Sequence, residues 1–548
     1  MSRRLPAVLA VAAVVGGAVV ADAAGRETPT VAPAGEPGVQ MPAVPASDVL
    51  AATWYCAAGT AEEGGSADHT VVVFNPGDDD VTGTISVHGG TFAAPPSTRA
   101  AGGGDDGGGD GEPAERDGSP TDGDDGGDPL GDAWSPPSPD GRDGGTAGPP
   151  PPEAPIEVPA GGRVEVRLAE VQRSPLAAAL VEVDGAVAVE HEVAGPAGRD
   201  VGPCASSASP EWHLAWGATT RDAREVMVLF NPFPSPAAVD VVFATENGIR
   251  EPVRFQGLPV PARGVVGVDV GEDVSREELV SATVRSRSGP VVVERLQTFD
   301  GSAGVGGLST ALAVPEPLET WVFAHGSIGP GRGERIVVYN PTGERAEVEV
   351  MVRPSPEDGA EVVAPQPFRV AVAAGRHEVI DYGEQDRVPA GTGHATVVRS
   401  SNGVPVVAER VLTYGDGQPG EVAAGPGAAF AADTWVLATR GGGDEPATRL
   451  VVANPGGGRP ARVSVVGFTG GQEVAPADLA DVEVPPGDRR VLTIGGELDA
   501  DDLAVVVRSD QPVVVERLVS GDGLGQAAGP AVPVASGAVP VSGLEPSA

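Results

Sequence analysis

One pattern of residues recurs four times along the chain and limits what it can fold into. Each copy contains, in the same order, a tryptophan, an apolar strand that ends in Asn-Pro, a loop related to Val-Pro-Ala-Gly-Arg, and a segment related to Pro-Val-Val-Val-Glu-Arg. The copies recur about every 110 residues, which is the length of a small domain and too long for one unit of a solenoid. The sequence therefore predicts four domains of one kind.

These landmarks supply the candidate site residues. The tryptophans are Trp54, Trp212, Trp321 and Trp435. The asparagines of the Asn-Pro steps are Asn75, Asn231, Asn340 and Asn454. The residues of the Glu-Arg steps are Glu190, Glu294, Arg295, Glu409, Arg410, Glu516 and Arg517, and His191 replaces arginine in the first copy. We interpret all of them as structural landmarks of the repeat.

Two of the landmarks also admit a ligand-binding interpretation. Exposed tryptophans can act as platforms on which sugars stack, but these four recur beside apolar residues, which favours packing in a core or between domains. The Asn-Pro steps could mark a binding rim, but proline ends a strand and asparagine can close an Asx turn on the backbone. The structural interpretation is favoured in both cases.

The Glu-Arg step predicts a buried ion pair. Successive residues of a strand point to opposite faces, so one of Glu516 and Arg517 faces inward or toward a neighbouring strand. We expect a structural ion pair with another landmark arginine, such as Arg489. A ligand site repeated in each copy is the alternative.

Strand signals are dense throughout the copies. Around each Glu-Arg step the sequence predicts a β-hairpin, with an apolar strand, a polar turn and a valine-rich strand, as in residues 508–517. The third copy contains about seven short strands, and residues 346–352 alternate charged and apolar in the way typical of a strand with one wet face. The predicted fold is all-β, with tandem Ig-like β-sandwiches. A propeller is the alternative, although its blades need only about 40–50 residues.

The landmarks also divide the chain into domains. The predicted boundaries are a signal peptide at 1–24, a flexible linker at 25–48, sandwiches at 49–207, 208–316, 317–430 and 431–520, and a flexible tail at 521–548. The first sandwich is longer because of an insert at about 95–155 that is rich in Gly, Asp and Pro. The insert contains almost no apolar residues, so burial cannot offset the entropy lost when a chain becomes ordered. We therefore expect this acidic insert to be disordered.

The amino terminus has the pattern of an export signal. Arg3 and Arg4 precede an apolar run at 5–20, and Ala21-Asp-Ala23 forms an A-x-A cleavage site. We expect cleavage near Ala23 or Ala24 and an extracytoplasmic protein that is secreted or associated with the cell wall. An uncleaved membrane anchor is the alternative.

The cysteine content agrees with export. The chain has 2 cysteines, Cys56 and Cys204. In an exported protein the simplest expectation is that they form a disulfide, and two free thiols are the alternative. The pair lacks the spacing of a zinc site, so no metal site is predicted.

Charge and motifs narrow the function. A net charge of −41 argues against nucleic acid and anionic membrane surfaces as partners. Motifs for nucleophilic, metal-dependent or phosphate-binding catalysis do not occur in a convincing context. We therefore predict no catalytic residues, no cofactor and no enzyme. The remaining partners are a cell-envelope polymer or an envelope protein, and the oligomeric state is left open.

The Asn-Pro strand ends, the Val-Pro-Ala-Gly loops and the R-S-x-x-P-V-V-x-E-R segments resemble an uncharacterised family of exported actinobacterial proteins with a domain of unknown function. The resemblance covers about residues 50–520. The same segments are also similar to Ig-like units of other bacterial surface proteins. It implies a cell-envelope location and no assigned chemistry. The leading hypothesis is a non-enzymatic scaffold or binding protein; a cell-wall polysaccharide-binding protein and an enzyme accessory protein are the alternatives.

Overall fold

The computed structural model describes residues 36–62, 64–93, 150–355, 362–415, 420–438, 447–456, 458–498, 500–521 and 524–544. The predicted signal peptide, residues 25–35 of the linker and most of the acidic insert lie outside these residues. The described residues of 1–94 and 151–548 belong to one compact unit. None of the helices in this part of the chain has the length and apolar character needed to span a membrane.

The described residues form 35 strands, which follow the four copies, now called repeats 1 to 4. Repeat 1 contains β1 (Ala52–Cys56), β2 (Asp68–Phe74), β3 (Val81–Phe92), β4 (Glu153–Val158), β5 (Arg163–Arg167), β6 (Leu176–Val183), β7 (Ala188–Gly195) and β8 (Gly198–Pro203). Repeat 2 contains β9 (Glu211–Leu214), β10 (Ala223–Asn231), β11 (Ala237–Thr245), β12 (Gly248–Arg250), β13 (Gln256–Val260), β14 (Gly264–Asp269), β15 (Val280–Ser288), β16 (Val292–Asp300) and β17 (Val305–Leu312).

The other two repeats have the same order of strands. Repeat 3 contains β18 (Thr320–Phe323), β19 (Arg332–Asn340), β20 (Ala346–Pro354), β21 (Phe368–Val372), β22 (Arg376–Asp381), β23 (His394–Ser400), β24 (Val407–Tyr414) and β25 (Gly420–Pro426). Repeat 4 contains β26 (Phe430–Leu437), β27 (Ala447–Ala453), β28 (Ala461–Thr469), β29 (Gln472–Val474), β30 (Val482–Val484), β31 (Arg489–Ile494), β32 (Ala504–Gly521) and β33 (Leu524–Pro530), followed by β34 (Val532–Pro533) and β35 (Ala538–Pro540).

Helical segments within the described residues are short. One α-helix, α1, covers Leu168–Val171. The 3₁₀ helices cover Val253–Phe255, Val270–Glu272, Tyr382–Glu384, Ala477–Leu479, Gly496–Leu498, Ala535–Gly537 and Val541–Gly543. The all-β fold class is therefore confirmed.

Each repeat consists of two sheets that pack against each other. The tryptophan sheet contains the strand of the landmark tryptophan, with the order β9-β15-β11-β13 in repeat 2 and β18-β23-β20-β21 in repeat 3. The ion-pair sheet contains the strand of the Glu-Arg step, with the order β14-β10-β16-β17 in repeat 2 and β22-β19-β24-β25 in repeat 3. The strand β20 has the predicted wet face, because Val348, Val350 and Val352 are buried while Glu347 is exposed.

The Ig-like connectivity is not confirmed. In an Ig domain the first two strands share a sheet. Here β9, the first strand of repeat 2, lies in the tryptophan sheet, whereas β10, the second strand, lies in the ion-pair sheet. Repeat 3 divides β18 and β19 in the same way.

The predicted β-hairpins are wrong, because the strands on the two sides of each turn belong to different sheets. In repeat 2, β15 pairs with β9 and β11, whereas β16 pairs with β10 and β17. In repeat 4 a single strand, β32, serves both sheets, and Glu516 lies opposite Val451 and Pro530. Two valine-rich strands around a short polar turn fit a crossing between facing sheets as well as a hairpin, so the local pattern does not separate them.

The four repeats close into a ring instead of forming a row of separate sandwiches. The last strand of each ion-pair sheet lies beside those of two other repeats, since β17 contacts β8 and β25, and β33 contacts β25 and β8. Outside this centre, each tryptophan sheet meets the ion-pair sheet of the next repeat, and between repeats 1 and 2 the strands β3 and β14 pair in parallel. The contacts that mark these four joints are His88 with Arg263, Ser281 with His377, Ser355 with Asp488, and Phe468 with Phe74.

The segments predicted as a flexible linker and a flexible tail contribute to the closure between repeats 4 and 1. Val44 forms a parallel bridge with Val534, and Met41, Ala43 and Val44 are buried. In the tail, β34 and β35 both pair with β26. The edge of β26 would otherwise present unpaired backbone groups, and these apolar segments cover it. The predictions for residues 36–48 and 524–544 are therefore corrected.

Candidate functional site

The Glu-Arg steps meet at the joints of the ring. Each glutamate pairs with the basic residue of the preceding repeat, and the fourth pair closes the cycle. The distances are 2.8 Å from His191 Nε2 to Glu294 Oε1, 2.7 Å from Arg295 Nη1 to Glu409 Oε2, 2.8 Å from Arg410 Nη1 to Glu516 Oε2, and 3.0 Å from Arg517 Nη1 to Glu190 Oε2. All eight side chains are buried, with at most 4 % of any side chain exposed.

Each glutamate also binds the backbone that follows the tryptophan strand of the preceding repeat. Glu516 accepts hydrogen bonds from the amides of Ala324 at 2.8 Å and His325 at 3.0 Å. The equivalent donors are Ala57 and Ala58 for Glu294, Ala215 for Glu409, and Ala438 for Glu190. A buried carboxylate needs several such donors to offset the loss of water. The tryptophan and Glu-Arg landmarks therefore form one construction that joins neighbouring repeats.

The suggested partner of Glu516, Arg489, is not the one that the structure shows. Glu516 pairs with Arg410 of the preceding repeat. Arg489 lies at the same joint, where Ser355 Oγ donates to its backbone carbonyl. The Arg410 guanidinium also donates to the carbonyl of His325, so the arginine and the glutamate bind adjacent groups of one loop.

The tryptophans are core residues. Trp54, Trp212, Trp321 and Trp435 are each at most 2 % exposed, which leaves no face on which a sugar could stack. Their indole nitrogens bind the crossing between the two sheets in three repeats. Trp212 donates to Val291 O at 2.7 Å, Trp321 to Val406 O at 2.8 Å, and Trp435 to Val513 O at 2.9 Å.

The Asn-Pro steps of repeats 1 to 3 form the expected Asx turns, whereas Asn454 Oδ1 in repeat 4 accepts no hydrogen bond from the described residues. The asparagines of all four repeats make a second contact that the sequence did not indicate. Asn231 Oδ1 accepts from the amide of Phe233, while Nδ2 donates to Ser235 O at 2.8 Å and to Val260 O at 3.2 Å. The asparagines of the other repeats donate through Nδ2 to the equivalent pair of backbone carbonyls. These are Asp79 and Val158 for Asn75, Glu344 and Val372 for Asn340, and Arg459 and Val484 for Asn454. The Asn-Pro and Val-Pro-Ala-Gly landmarks thus hold each other.

Replacing Asn231 with alanine is expected to lower the free energy of unfolding by about 1–3 kcal/mol, because the buried carbonyl of Val260 loses its side-chain donor. Chemical denaturation of the full chain measures the loss. Asn402→Ala is the control, since the Asn402 side chain also bonds backbone groups, at Glu347 N and Arg345 O, but does so at the exposed surface. An Asn231→Ala variant no less stable than the Asn402→Ala variant would contradict the role given to these bonds.

Cys56 and Cys204 form a disulfide, as predicted. The bond connects the end of β1 with the residue after β8, so it fixes the first strand of repeat 1 to the last. Both side chains are buried, at 0 % and 1 % exposure. The bond is thus part of the core of repeat 1.

A cavity of about 70 Å³ lies where the last strands of the four repeats meet. An equivalent pair of consecutive residues from each of the four repeats lines it: Gly202 and Pro203, Ala311 and Leu312, Gly425 and Pro426, and Gly529 and Pro530. The segment at 38–42 lines one side, where Gln40 Nε2 donates to Glu316 and Ser206 Oγ donates to Gly38 O. The space is mainly apolar and suits a few waters or a very small ligand.

Other buried titratable residues at the joints were missed in the sequence. Glu225 and Glu334 lie six residues before Asn231 and Asn340, and His69 lies six before Asn75, so the spacing itself was the available signal. Burial raises the pKa of Glu225 to about 8, although the nearby Arg295 opposes this, so the carboxyl is mostly neutral near pH 7. Within the described ranges no group of three or more His, Cys, Asp or Glu residues could hold a metal ion.

Residues 181–487, more than half of the chain, match the family of unknown function DUF5719. The search of the curated proteins finds no match. Several solved structures match, and two of them illustrate the limited extent of the similarity. Thermotoga maritima 1070 is 16 % identical, with 21 % of this chain and 95 % of that chain covered and a TM-score of 0.18. Anabaena sensory rhodopsin transducer is 25 % identical, with 17 % and 94 % covered and a TM-score of 0.15.

Proposed function

Because this chain belongs to the family of unknown function DUF5719, which assigns it no activity, we propose a function from the molecule itself: a non-enzymatic scaffold or binding protein that works outside the cytoplasm, at the cell envelope. The proposal rests on the structural role of the repeated residues. The tryptophans, asparagines and Glu-Arg residues that could have formed four ligand sites are buried, and the Glu-Arg residues bond to one another across the joints. Their role is to hold four repeats in one body.

The joints do not support catalysis. A catalytic carboxylate or histidine must reach a substrate, and the paired groups at the joints are closed to solvent. The raised pKa of Glu225 is of a kind found in active sites, but its side chain is only 1 % exposed. A body that places four similar repeats in fixed positions suits the attachment of other molecules better than it suits turnover.

The proposed location has two supports. The amino-terminal sequence has the pattern of a signal peptide, and Cys56 and Cys204 form a disulfide of the kind that persists in oxidising compartments. The net charge of −41 supports a partner that is neither nucleic acid nor an anionic membrane surface.

Fractionation of cells that express the full chain, followed by amino-terminal sequencing, tests the location. We expect the protein in the wall fraction or the medium, with a mature start near Ala24 or Gly25. A cytoplasmic enzyme followed in the same fractions controls for leakage. An intact Met1 in the cytoplasm would overturn the proposal, and an intact Met1 in the membrane fraction would replace secretion by anchoring.

Two assays test the proposed activity: binding to isolated cell walls, and turnover of a broad panel of hydrolase substrates. The proposal expects no turnover by the mature protein. Binding to wall polysaccharide would select that polymer as the partner, through a surface other than the four buried tryptophans. Turnover that persists through purification would overturn the non-enzymatic function.

A further inference from the structure

The joint between repeats 1 and 2 differs from the other three in its basic residue. Three joints use arginine, whereas this one uses His191. A second histidine, His69, extends the contact. A continuous series of contacts runs through buried atoms. Ala177 O lies 3.0 Å from His69 Nδ1, and His69 Nε2 lies 2.9 Å from His191 Nδ1. His191 Nε2 forms an ion pair with Glu294 Oε1 at 2.8 Å, and Thr310 Oγ1 donates to the same carboxylate oxygen at 2.7 Å.

The chemistry of these atoms determines where the protons lie. The carbonyl of Ala177 can only accept, so His69 Nδ1 carries a hydrogen and Nε2 of the neutral ring accepts from His191. His191 Nδ1 therefore carries a hydrogen too. Its Nε2 faces a carboxylate oxygen, and two lone pairs would repel at 2.8 Å, so a second proton lies between His191 and Glu294. The joint is complete only when this proton is bound.

We propose that the joint between repeats 1 and 2 is a proton-controlled joint, which holds while the His191–Glu294 pair keeps its proton and loosens before the other three as the pH rises. Arginine does not lose its proton in a protein, so the other joints keep their ion pairs over the same range. The proposal rests on the contacts of this chain and stands whether or not the proposed function is correct.

The surrounding groups come from several elements. They are His69 on β2, Glu190 on β7, Asp200 on β8, Glu294 on β16 and Thr310 on β17. Burial alone would lower the pKa of His191, but the charge and hydrogen bond of Glu294, with Asp200 and Glu190, raise it above its usual value. Burial and the neighbouring His191 lower the pKa of His69 to about 3, so His69 stays neutral. Burial raises the pKa of Asp200 to about 6.

The sign of the effect follows from the raised pKa of His191. Its contribution to stability is fully present below the unfolded pKa of about 6.5 and is lost as the pH rises through the folded value. Between those two values the folding equilibrium constant should fall by up to about tenfold for each pH unit. Glu225 and Asp200 also favour lower pH because their pKa values are raised, so the test must isolate His191.

A double variant isolates the contribution of His191 to the pH dependence of stability. His69→Thr with His191→Arg reproduces the residues at the equivalent positions of repeat 4, Thr448 and Arg517. Unfolding of the full chain is measured from about pH 6 to about pH 9, the range in which a histidine of raised pKa titrates. We expect the wild type to lose more stability with rising pH than the double variant, whose Glu225 and Asp200 are unchanged. Equal pH dependence in the two proteins would overturn the proposal.

Hydrogen exchange in the wild type gives an independent result even if the double variant does not fold. The amides of Ala57 and Ala58 bind Glu294, while those of Ala324 and His325 bind Glu516 at an arginine joint. After correction for the intrinsic exchange rate, protection at Ala57 and Ala58 should fall with rising pH relative to the other two amides. Parallel behaviour of the two pairs of amides would overturn the proposal.

Discussion

Replacing Glu516 with leucine is expected to destabilise the protein by about 3–5 kcal/mol, because it leaves the buried Arg410 without its carboxylate. The backbone amides of Ala324 and His325 lose their acceptor in the same change. Leucine has a similar volume, so the loss reports the charge and the hydrogen bonds more than a cavity. Denaturant unfolding of the full chain measures it.

Two further variants separate the buried pair from a general effect of mutation. Arg410→Met combined with Glu516→Leu removes both charges, and we expect it to be more stable than the Glu516→Leu protein, since the uncompensated charge is gone. Glu347→Ala breaks the Arg345–Glu347 pair, whose side chains are 66 % and 48 % exposed, and should cost less than about 1 kcal/mol. A Glu516→Leu protein as stable as the Glu347→Ala protein would show that the joint contributes little.

Removing the disulfide by Cys56→Ala and Cys204→Ala is expected to cost about 2–5 kcal/mol. The bond joins residues 148 apart, and a loop of that length restricts the unfolded chain strongly. Unfolding of the wild type and of the double variant, each with and without reductant, measures the contribution. Reductant should shift the wild type toward the double variant and leave the double variant unchanged; a wild type that unfolds at the same denaturant concentration as the variant would contradict the prediction.

The features that follow from local chemistry could be predicted from the sequence. Alternation of charged and apolar residues located β20, and the presence of two cysteines in a sequence with the pattern of an export signal predicted the disulfide. The Asx turn at Asn231 needs only its own backbone two residues on. In repeat 3 the seven predicted strands are present, and β25, which has the sequence Gly-Glu-Val-Ala-Ala-Gly-Pro and little β-branched character, is the one that was missed.

The features that depend on distant contacts could not be predicted from the sequence. Arg410 and Glu516 are 106 residues apart, and no spacing within one repeat identifies them as partners. The crossing at β15 and β16 has the turn chemistry of a hairpin, so only the packing of two sheets decides between the alternatives. The segments at 36–48 and 524–544 look like linkers because they are rich in Pro, Ala and Gly. They are ordered because the closure between repeats 4 and 1 gives their apolar side chains a place to be buried.

The closed cycle of joints has a consequence for the way the protein resists unfolding. An open array of repeats frays from its ends, and its terminal repeats need polar caps to shield the face that has no neighbour. Here repeat 1 is held by repeat 4 through Glu190 and Arg517 as well as by repeat 2, so no repeat is terminal. To release any one repeat, two joints must break together. The molecule thus gains from its topology a cooperativity that the same four repeats would lack in a line.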